Sequence, residues 1–297
     1  MNANMRAAAP TEVLRYTAFS ADPDGGNPAG VVLDASALDD AARLAVAAEV
    51  GYSETAFLTP APQGTEGAPE GRAFTTRYFS PLAEVAFCGH ATIATAVALG
   101  ERIGPGELLF LTPAGPIPVT VVGGDGESGP RATLSSVEPH SKPVEDKDLT
   151  EALAALGWAR GDLDPEIPPR IAFGGNDHLV LAVTSRERLA ALDYDFERLK
   201  ELMLRLGLTT LQLVWRESAG VFHVRDPFPV GGVREDPATG AAAAAFGGYA
   251  RELGIVPEES RFTLHQGEDM GRPGELTVDL RAGDPRVHVS GTAARIG

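Results

Sequence analysis

The strongest constraint in this sequence is a segment that occurs twice. Cys88-Gly89-His90-Ala91-Thr92 opens a run of small residues that stops at Leu99-Gly100-Glu101-Arg102-Ile103-Gly104. Thr239-Gly240-Ala241-Ala242-Ala243 opens a second run, which stops at Ala250-Arg251-Glu252-Leu253-Gly254. Each follows an extended, acid-containing loop, Pro81 to Phe87 in one case and Gly231 to Ala238 in the other. A helix that is small nearly all round has no solvent face, so it must be buried with close neighbours on every side. The pattern predicts a duplicated unit, each half wrapping a sheet around one Ala-rich helix. Chance likeness between Ala-rich helices is the competing explanation. The matching lead-in loops and glycine-rich stops favour duplication.

Strands are expected at Glu12 to Phe19, Val31 to Leu33, Glu54 to Leu58, Ala73 to Phe79, Leu108 to Leu111 and Ile117 to Val122. In the second half they are expected at Ile171 to Phe173, Leu179 to Val183, Leu211 to Trp215, Val221 to Val224, Arg261 to His265, Glu275 to Leu280 and Val287 to Val289. Further helices are read at Leu38 to Val50, Leu149 to Leu156 and Phe196 to Leu206 from their apolar spacing. The Gly-rich stretch Gly123 to Pro130 is the candidate linker or hairpin tip. A length of 297 residues then suggests two domains, 1–126 and 127–297. The last strand, Arg286 to Ile296, either stays in the second domain or returns to the first.

Composition narrows the function. A formal net charge of -16 repels phosphate backbones, so nucleic acid is not an expected partner. One cysteine, Cys88, excludes a disulfide framework and a cysteine-rich metal site. The stretch Met1 to Thr11 has no signal-peptide core, and no run approaches the ~18 apolar residues of a membrane span. A cytoplasmic chain with no membrane partner is the expectation. The six histidines lack paired metal-ligand spacing, so no metal is expected. Gly124 to Gly129 matches a dinucleotide fingerprint only formally, since Pro130 follows and no strand and helix flank it. There is no P-loop and no serine in a nucleophile elbow.

The chemistry concentrates at the two helix starts. A buried helix start carries unpaired N–H groups and the positive end of a dipole, which suit a carboxylate. Gly89 and Gly240 allow close backbone approach there. Glu54 enters an apolar strand and reads either as an exposed strand-start acid or as a buried general base. His90 reads as a neutral donor or acceptor, or as a polar cap. Asp236 reads as a dipole partner or as a substrate ligand. Cys88 reads as a small buried hydrophobe or as a thiolate base. The duplication sets Thr239 opposite Cys88, which disfavours a two-thiol racemase. Glu84 and Glu235 are expected in solvent.

Several runs together carry a family resemblance. Gly26-Asn27-Pro28-Ala29-Gly30-Val31, Tyr52-Ser53-Glu54-Thr55-Ala56-Phe57, Arg77-Tyr78-Phe79-Ser80-Pro81, Glu84 to Thr92 and Glu235-Asp236-Pro237-Ala238-Thr239-Gly240 resemble the phenazine-biosynthesis PhzF-like isomerase/epimerase family. They follow that family's order and span nearly the whole chain. The resemblance implies an α+β fold like diaminopimelate epimerase: two similar domains, each a curled, mostly antiparallel sheet around a central helix. It implies a homodimer without metal or organic cofactor. It matches Glu54 to the catalytic acid/base, and Gly89, His90 and Asp236 to groups that hold substrate and assist proton movement. In the family's best-understood reaction such a glutamate moves a proton between two carbons of a dihydro-hydroxyanthranilate on one face. The family commonly has serine after the Thr-Gly pair, whereas this chain has Ala241. Losing one hydroxyl contact costs about 1 kcal/mol, and it sets this chain apart from the phenazine substrate.

The expected function is cofactor-independent isomerisation of a small carboxylate-bearing metabolite through Glu54. His90 and Asp236 assist, and Gly89, Thr239, Gly240 and Asn27 line the substrate. The alternatives are an amino-acid epimerase or racemase using Cys88, and a non-catalytic binder of small carboxylates.

Overall fold

The computed structural model describes residues 11–124 and 129–297. The N-terminal stretch read for a signal peptide, the tip of the Gly-rich linker and the boundary expected at 126 lie outside the described residues. The first half runs β1 (Leu14–Ala18), β2 (Asn27–Val32), α1 (Asp40–Val50), β3 (Thr55–Pro60), β4 (Ala73–Phe79), β5 (Glu84–Val85), α2 (Gly89–Ile103), β6 (Gly106–Thr112), β7 (Gly115–Val122) and β8 (Arg131–Ser135). The second runs β9 (His140–Pro143), α3 (Asp146–Leu156), β10 (Arg170–Phe173), β11 (Asp177–Val183), α4 (Arg186–Ala190), α5 (Phe196–Leu206), β12 (Thr210–Ser218), β13 (Val221–Pro227), β14 (Glu235–Asp236), α6 (Gly240–Glu252), β15 (Ser260–Gln266), β16 (Gly274–Leu280) and β17 (Val287–Arg295).

The pairings repeat. In the first half β1 and β2 form a hairpin, and β2 runs parallel to β3 across α1. β4 pairs with β3 and with the two-residue β5, then lies parallel to β6 across α2. In the second half β10 and β11 form a hairpin, and β11 runs parallel to β12 across α4 and α5. β13 pairs with β12 and with the two-residue β14, then lies parallel to β15 across α6. Every other pairing is antiparallel. β17 bonds to β16, β8 and β1, so one long strand runs through both sheets.

The two small-residue helices are the centres of these sheets. All side chains from His90 to Gly100 on α2 are buried, as are Gly240 and Ala242 to Ala250 on α6. Small side chains are required because the strands come so close. A Cβ on Gly247 would lie 2.8 Å from Val278 and 2.9 Å from Val287, inside normal contact. Both helices start one or two residues earlier than the small-residue run alone suggests. α2 also continues one turn further, to Ile103.

The remaining helices pack outside. Leu149, Leu153, Leu199, Leu202 and Met203 of α3 and α5 cover Leu179, Leu181, Leu211 and Leu213 on the outer face of β11 and β12. Val180 and Ala182 face the inner core instead. Burial on both faces explains why β11 reads as an unbroken apolar run. On the first half Ala47 of α1 covers Val32, Phe57 and Phe79. The pattern missed β8, β9 and the short β5 and β14, none of which has an apolar run. β2 begins at Asn27, four residues before the strand expected from Val31.

Candidate active site

The two central helices meet at their N-termini. A Cβ on Gly89 would sit 3.7 Å from Gly240 Cα, and one on Gly240 would sit 3.9 Å from Gly89 Cα. A side chain at either position would thus lie in van der Waals contact with the opposite helix start and take up space at the junction. Neither Cys88 nor Thr239, the two N-cap residues, caps its helix with a side-chain hydrogen bond. The first N–H groups of both helices therefore remain available to an anion.

A cavity of about 570 Å³ opens at this junction. Glu54, Cys88, Gly89, His90, Asp236, Thr239, Gly240 and Ala241 all line it. Sequence positions almost 200 residues apart thus converge, including every predicted catalytic residue. Asn27 lies just behind, fully buried. Its amide nitrogen donates to Asp236 Oδ1 at 2.8 Å and to the Ala238 carbonyl at 3.1 Å, and lies 3.2 Å from His90 Nδ1. Asn27 therefore ties the two halves together behind the substrate space.

Glu54 is not an exposed strand-start acid. Its side chain is only 17% exposed, at the point where β3 enters the first sheet. Burial raises its carboxyl above the usual range, partly offset by hydrogen bonds from Ser53 and Cys88. Its Oε2 lies 3.5 Å from His90 Nε2 and 3.5 Å from Cys88 Sγ. His90 is buried, and desolvation lowers its imidazole despite the nearby Asp236 charge. The donor nitrogen of Asn27 facing Nδ1 favours the neutral tautomer with its proton on Nε2, which points toward Glu54 and toward Ser53 Oγ at 3.4 Å. Burial and the Glu54 charge push the Cys88 thiol well up.

Asp236 is held on every side. Thr239 Oγ1 donates to its Oδ2 at 2.6 Å, and Gln266 Nε2 donates to its backbone carbonyl at 2.8 Å. Gln266 Oε1 in turn accepts from Thr239 N–H at 3.0 Å. Burial raises Asp236, opposed by the His90, Thr239 and Asn27 contacts.

Strand register gives the equivalent positions of the two halves. Tyr78 pairs with Val85 as Asp226 pairs with Asp236. Thr55 pairs with both Gly30 and Phe79, as Leu211 pairs with Leu179 and falls opposite Pro227. Glu54 then corresponds to Thr210, Cys88 to Thr239 and His90 to Ala241. The scaffold is duplicated, but neither the carboxylate nor the thiol nor the imidazole is.

Three features escaped the sequence reading. Gly25-Gly26-Asn27 recurs as Gly174-Gly175-Asn176, and Asn176 also lines the cavity; the repeated triplet was the available signal. Glu84 and Glu235 are not simply solvated. Arg77 grips Glu84 with two bonds of 2.6 Å, and Arg225 grips Glu235 in the same two-pronged way. These equivalent clamps fix the lead-in to each helix start. Finally, Asp226 is fully buried beneath the second start, 3.5 Å from Thr210 Oγ1, and burial raises it strongly. Although no metal was expected, Glu54, Cys88 and His90 bring three potential ligand atoms within 4.8 Å of one another. Histidine spacing could not reveal this, because the donors come from two segments.

The family "Phenazine biosynthesis-like protein" (PhzC-PhzF) matches residues 16–296. The uncharacterized isomerase YfhB of Bacillus subtilis is 30% identical over 293 residues, 95% of each chain. The crystal structure of a PhzF-family phenazine biosynthesis protein from Bacillus anthracis superimposes with a TM-score of 0.82 at 25% identity, covering 96% of each chain. A hydroxyproline epimerase from Agrobacterium vitis shares the fold, with a TM-score of 0.63 at 15% identity over 96% of this chain and 90% of that one. The expected α+β fold, two similar domains each with a sheet around a central helix, is therefore correct. No helix among the described residues is long and apolar enough to cross a membrane. The chain belongs to the phenazine biosynthesis-like (PhzC-PhzF) family and is an isomerase.

Proposed function

We propose that the chain is a cofactor-independent isomerase of a small carboxylate-bearing metabolite, acting by one-base proton transfer through Glu54. The observation that carries this reading is the cavity wall itself. One carboxyl, Glu54, faces His90 across 3.5 Å beside two uncapped helix starts. The corresponding position in the second half is Thr210, which cannot serve as a second base.

In this mechanism the substrate carboxylate lies against the N–H groups at Gly89 and Gly240. Glu54 takes a proton from a carbon that the carboxylate activates. The electron pair moves into the conjugated system, and the N–H groups stabilise charge developing on oxygen. Glu54 then returns the proton to another carbon on the same face. His90 and Asp236 hold an amine or hydroxyl of the substrate, while Asn27 and Thr239 keep Asp236 in place. The enzyme works as a homodimer in the cytoplasm.

Incubation of candidate cyclic acids and amino acids in D₂O tests this, with deuterium wash-in followed by NMR. Glu54→Gln should cut wash-in by roughly 10²–10⁴-fold, the usual worth of a general acid/base, while Cys88→Ala retains it. Loss in both variants favours the epimerase that uses Cys88, whose sulfur lies 3.5 Å from Glu54. Tight binding without exchange identifies a non-catalytic binder.

A further inference from the structure

We propose that Glu54 Oε2, Cys88 Sγ and His90 Nε2 form a site for one zinc ion, and that zinc bound there excludes substrate. The three atoms form a nearly regular triangle. Oε2 to Nε2 is 3.5 Å, Sγ to Oε2 is 3.5 Å and Sγ to Nε2 is 3.7 Å. Tetrahedral zinc, with bonds of about 2.0–2.3 Å, sets neighbouring ligand atoms about 3.3–3.8 Å apart. The three ligand atoms therefore already stand at the spacing the ion requires. All three residues line the 570 Å³ cavity, so the fourth position opens to water or to a small anion.

Charge and surroundings agree with the geometry. A thiolate and a carboxylate neutralise a divalent cation, which removes most of the cost of burying each charge alone. The thiol sits buried among acids and resists ionisation there. A coordinated cation reverses that balance and deprotonates it outright. The step is substitution without redox: Zn²⁺ binds, the Cys88 S–H bond breaks, an S–Zn bond forms and the proton leaves to solvent. If Glu54 is protonated, its proton leaves too. Coordination through Nε2 moves the imidazole proton from Nε2 to Nδ1, 3.2 Å from the Asn27 amide, which turns over to accept it through its oxygen and so supplies the outer support of a metal-bound histidine. Sulfur and imidazole select zinc over magnesium or calcium, which want oxygen ligands.

The mechanism proposed above leaves Cys88 without a role, yet it stands in contact with both proton-transfer residues. A metal held by Glu54 and His90 withdraws both from proton transfer and covers the helix starts. Zinc then acts as an inhibitor, and as a competitor of the substrate carboxylate.

The test uses the full-length protein, free of any tag and stripped with a chelator. Zinc affinity is read by competition with a chromophoric zinc indicator, and cobalt(II) is titrated by absorption. One zinc should bind per chain with sub-micromolar affinity and release at least one proton, and millimolar magnesium should not displace it. Cobalt(II) should give a thiolate charge-transfer band with intense tetrahedral visible bands. Cys88→Ala should abolish that band and weaken zinc by at least about 10–100-fold. Cys88→Ser, checked by circular dichroism, guards against a misfolded variant and should also lose the band. Absence of saturable binding at micromolar zinc would overturn the proposal. So would affinity unchanged in Cys88→Ala, or a weak octahedral cobalt spectrum. The zinc titration needs no substrate, so its failure is distinct from failure of the deuterium experiment on metal-free protein.

Discussion

Two helix starts meet in this molecule, one reading Cys88-Gly89-His90 and the other Thr239-Gly240-Ala241. Their supports are alike. Each follows a two-residue strand whose glutamate is clamped by an arginine, and each begins with a glycine against the other. Their chemistry differs at the positions nearest the cavity. Glu54, Cys88 and His90 stand in the first half where Thr210, Thr239 and Ala241 stand in the second. Asp236 and Asp226 stand in the second half where Val85 and Tyr78 stand in the first. Each half supplies one helix start without a side-chain cap. The carboxyl, thiol and imidazole of Glu54, Cys88 and His90 lie on one side and the hydrogen-bonded acids Asp226 and Asp236 on the other.

The largest expected effect breaks that division of labour. Glu54→Gln should lower deuterium exchange by roughly 10³-fold, near 4 kcal/mol of barrier, whereas Thr210→Val at the equivalent position should cost under tenfold. The two arginine clamps give the next contrast. Arg225 and Glu235 are buried, with side chains 9% and 11% exposed. Arg225→Gln leaves a buried carboxylate unpaired and should cost about 3–5 kcal/mol in denaturant unfolding. Arg77 and Glu84 are 26% and 31% exposed, and Arg77→Gln should cost about 1 kcal/mol or less. Equal losses would mean the clamps are not distinguished by burial.

A third contrast concerns Asp226, which occupies the place that neutral Tyr78 fills in the first half. Burial keeps the Asp226 proton in the folded chain, while the unfolded chain releases it near pH ~4. The unfolded state then binds fewer protons, so stability falls as pH rises between those two values. Asp226→Asn should flatten this slope in thermal melts and be neutral or stabilising near neutral pH. An unchanged slope in the variant would show that Asp226 ionises in the fold as it does in the unfolded chain. The smallest effect is expected for Cys88→Ala in metal-free protein, with exchange within a few-fold of the parent.

Much of this was legible in the sequence because it rests on small residues. Helices α2 and α6 must be wrapped whatever surrounds them, and the glycines at their starts mark where backbone meets ligand. Glu54 was ambiguous because its burial is set by tertiary neighbours such as Cys88 and His90, and not by its own strand pattern. The clamps were missed for a similar reason. Arg77 reaches Glu84 and Arg225 reaches Glu235 only once each lead-in folds back on its strand. Asp226 precedes Pro227-Phe228-Pro229, and nothing local indicates a buried carboxyl. The repeated Gly-Gly-Asn triplet was visible and would have carried the equivalence from Asn27 to Asn176.

The central claim is that one base, in the first half alone, moves the proton. The direct measurement is the fate of a label. Once the exchange screen finds a turnover substrate, it is prepared with deuterium at the reacting carbon and converted in ordinary water. The account predicts that product carries a measurable part of that deuterium at the new carbon, and that Glu54→Gln makes no product. Complete replacement by solvent hydrogen, with activity lost in Cys88→Ala as well, would contradict it and assign a second base to the thiol.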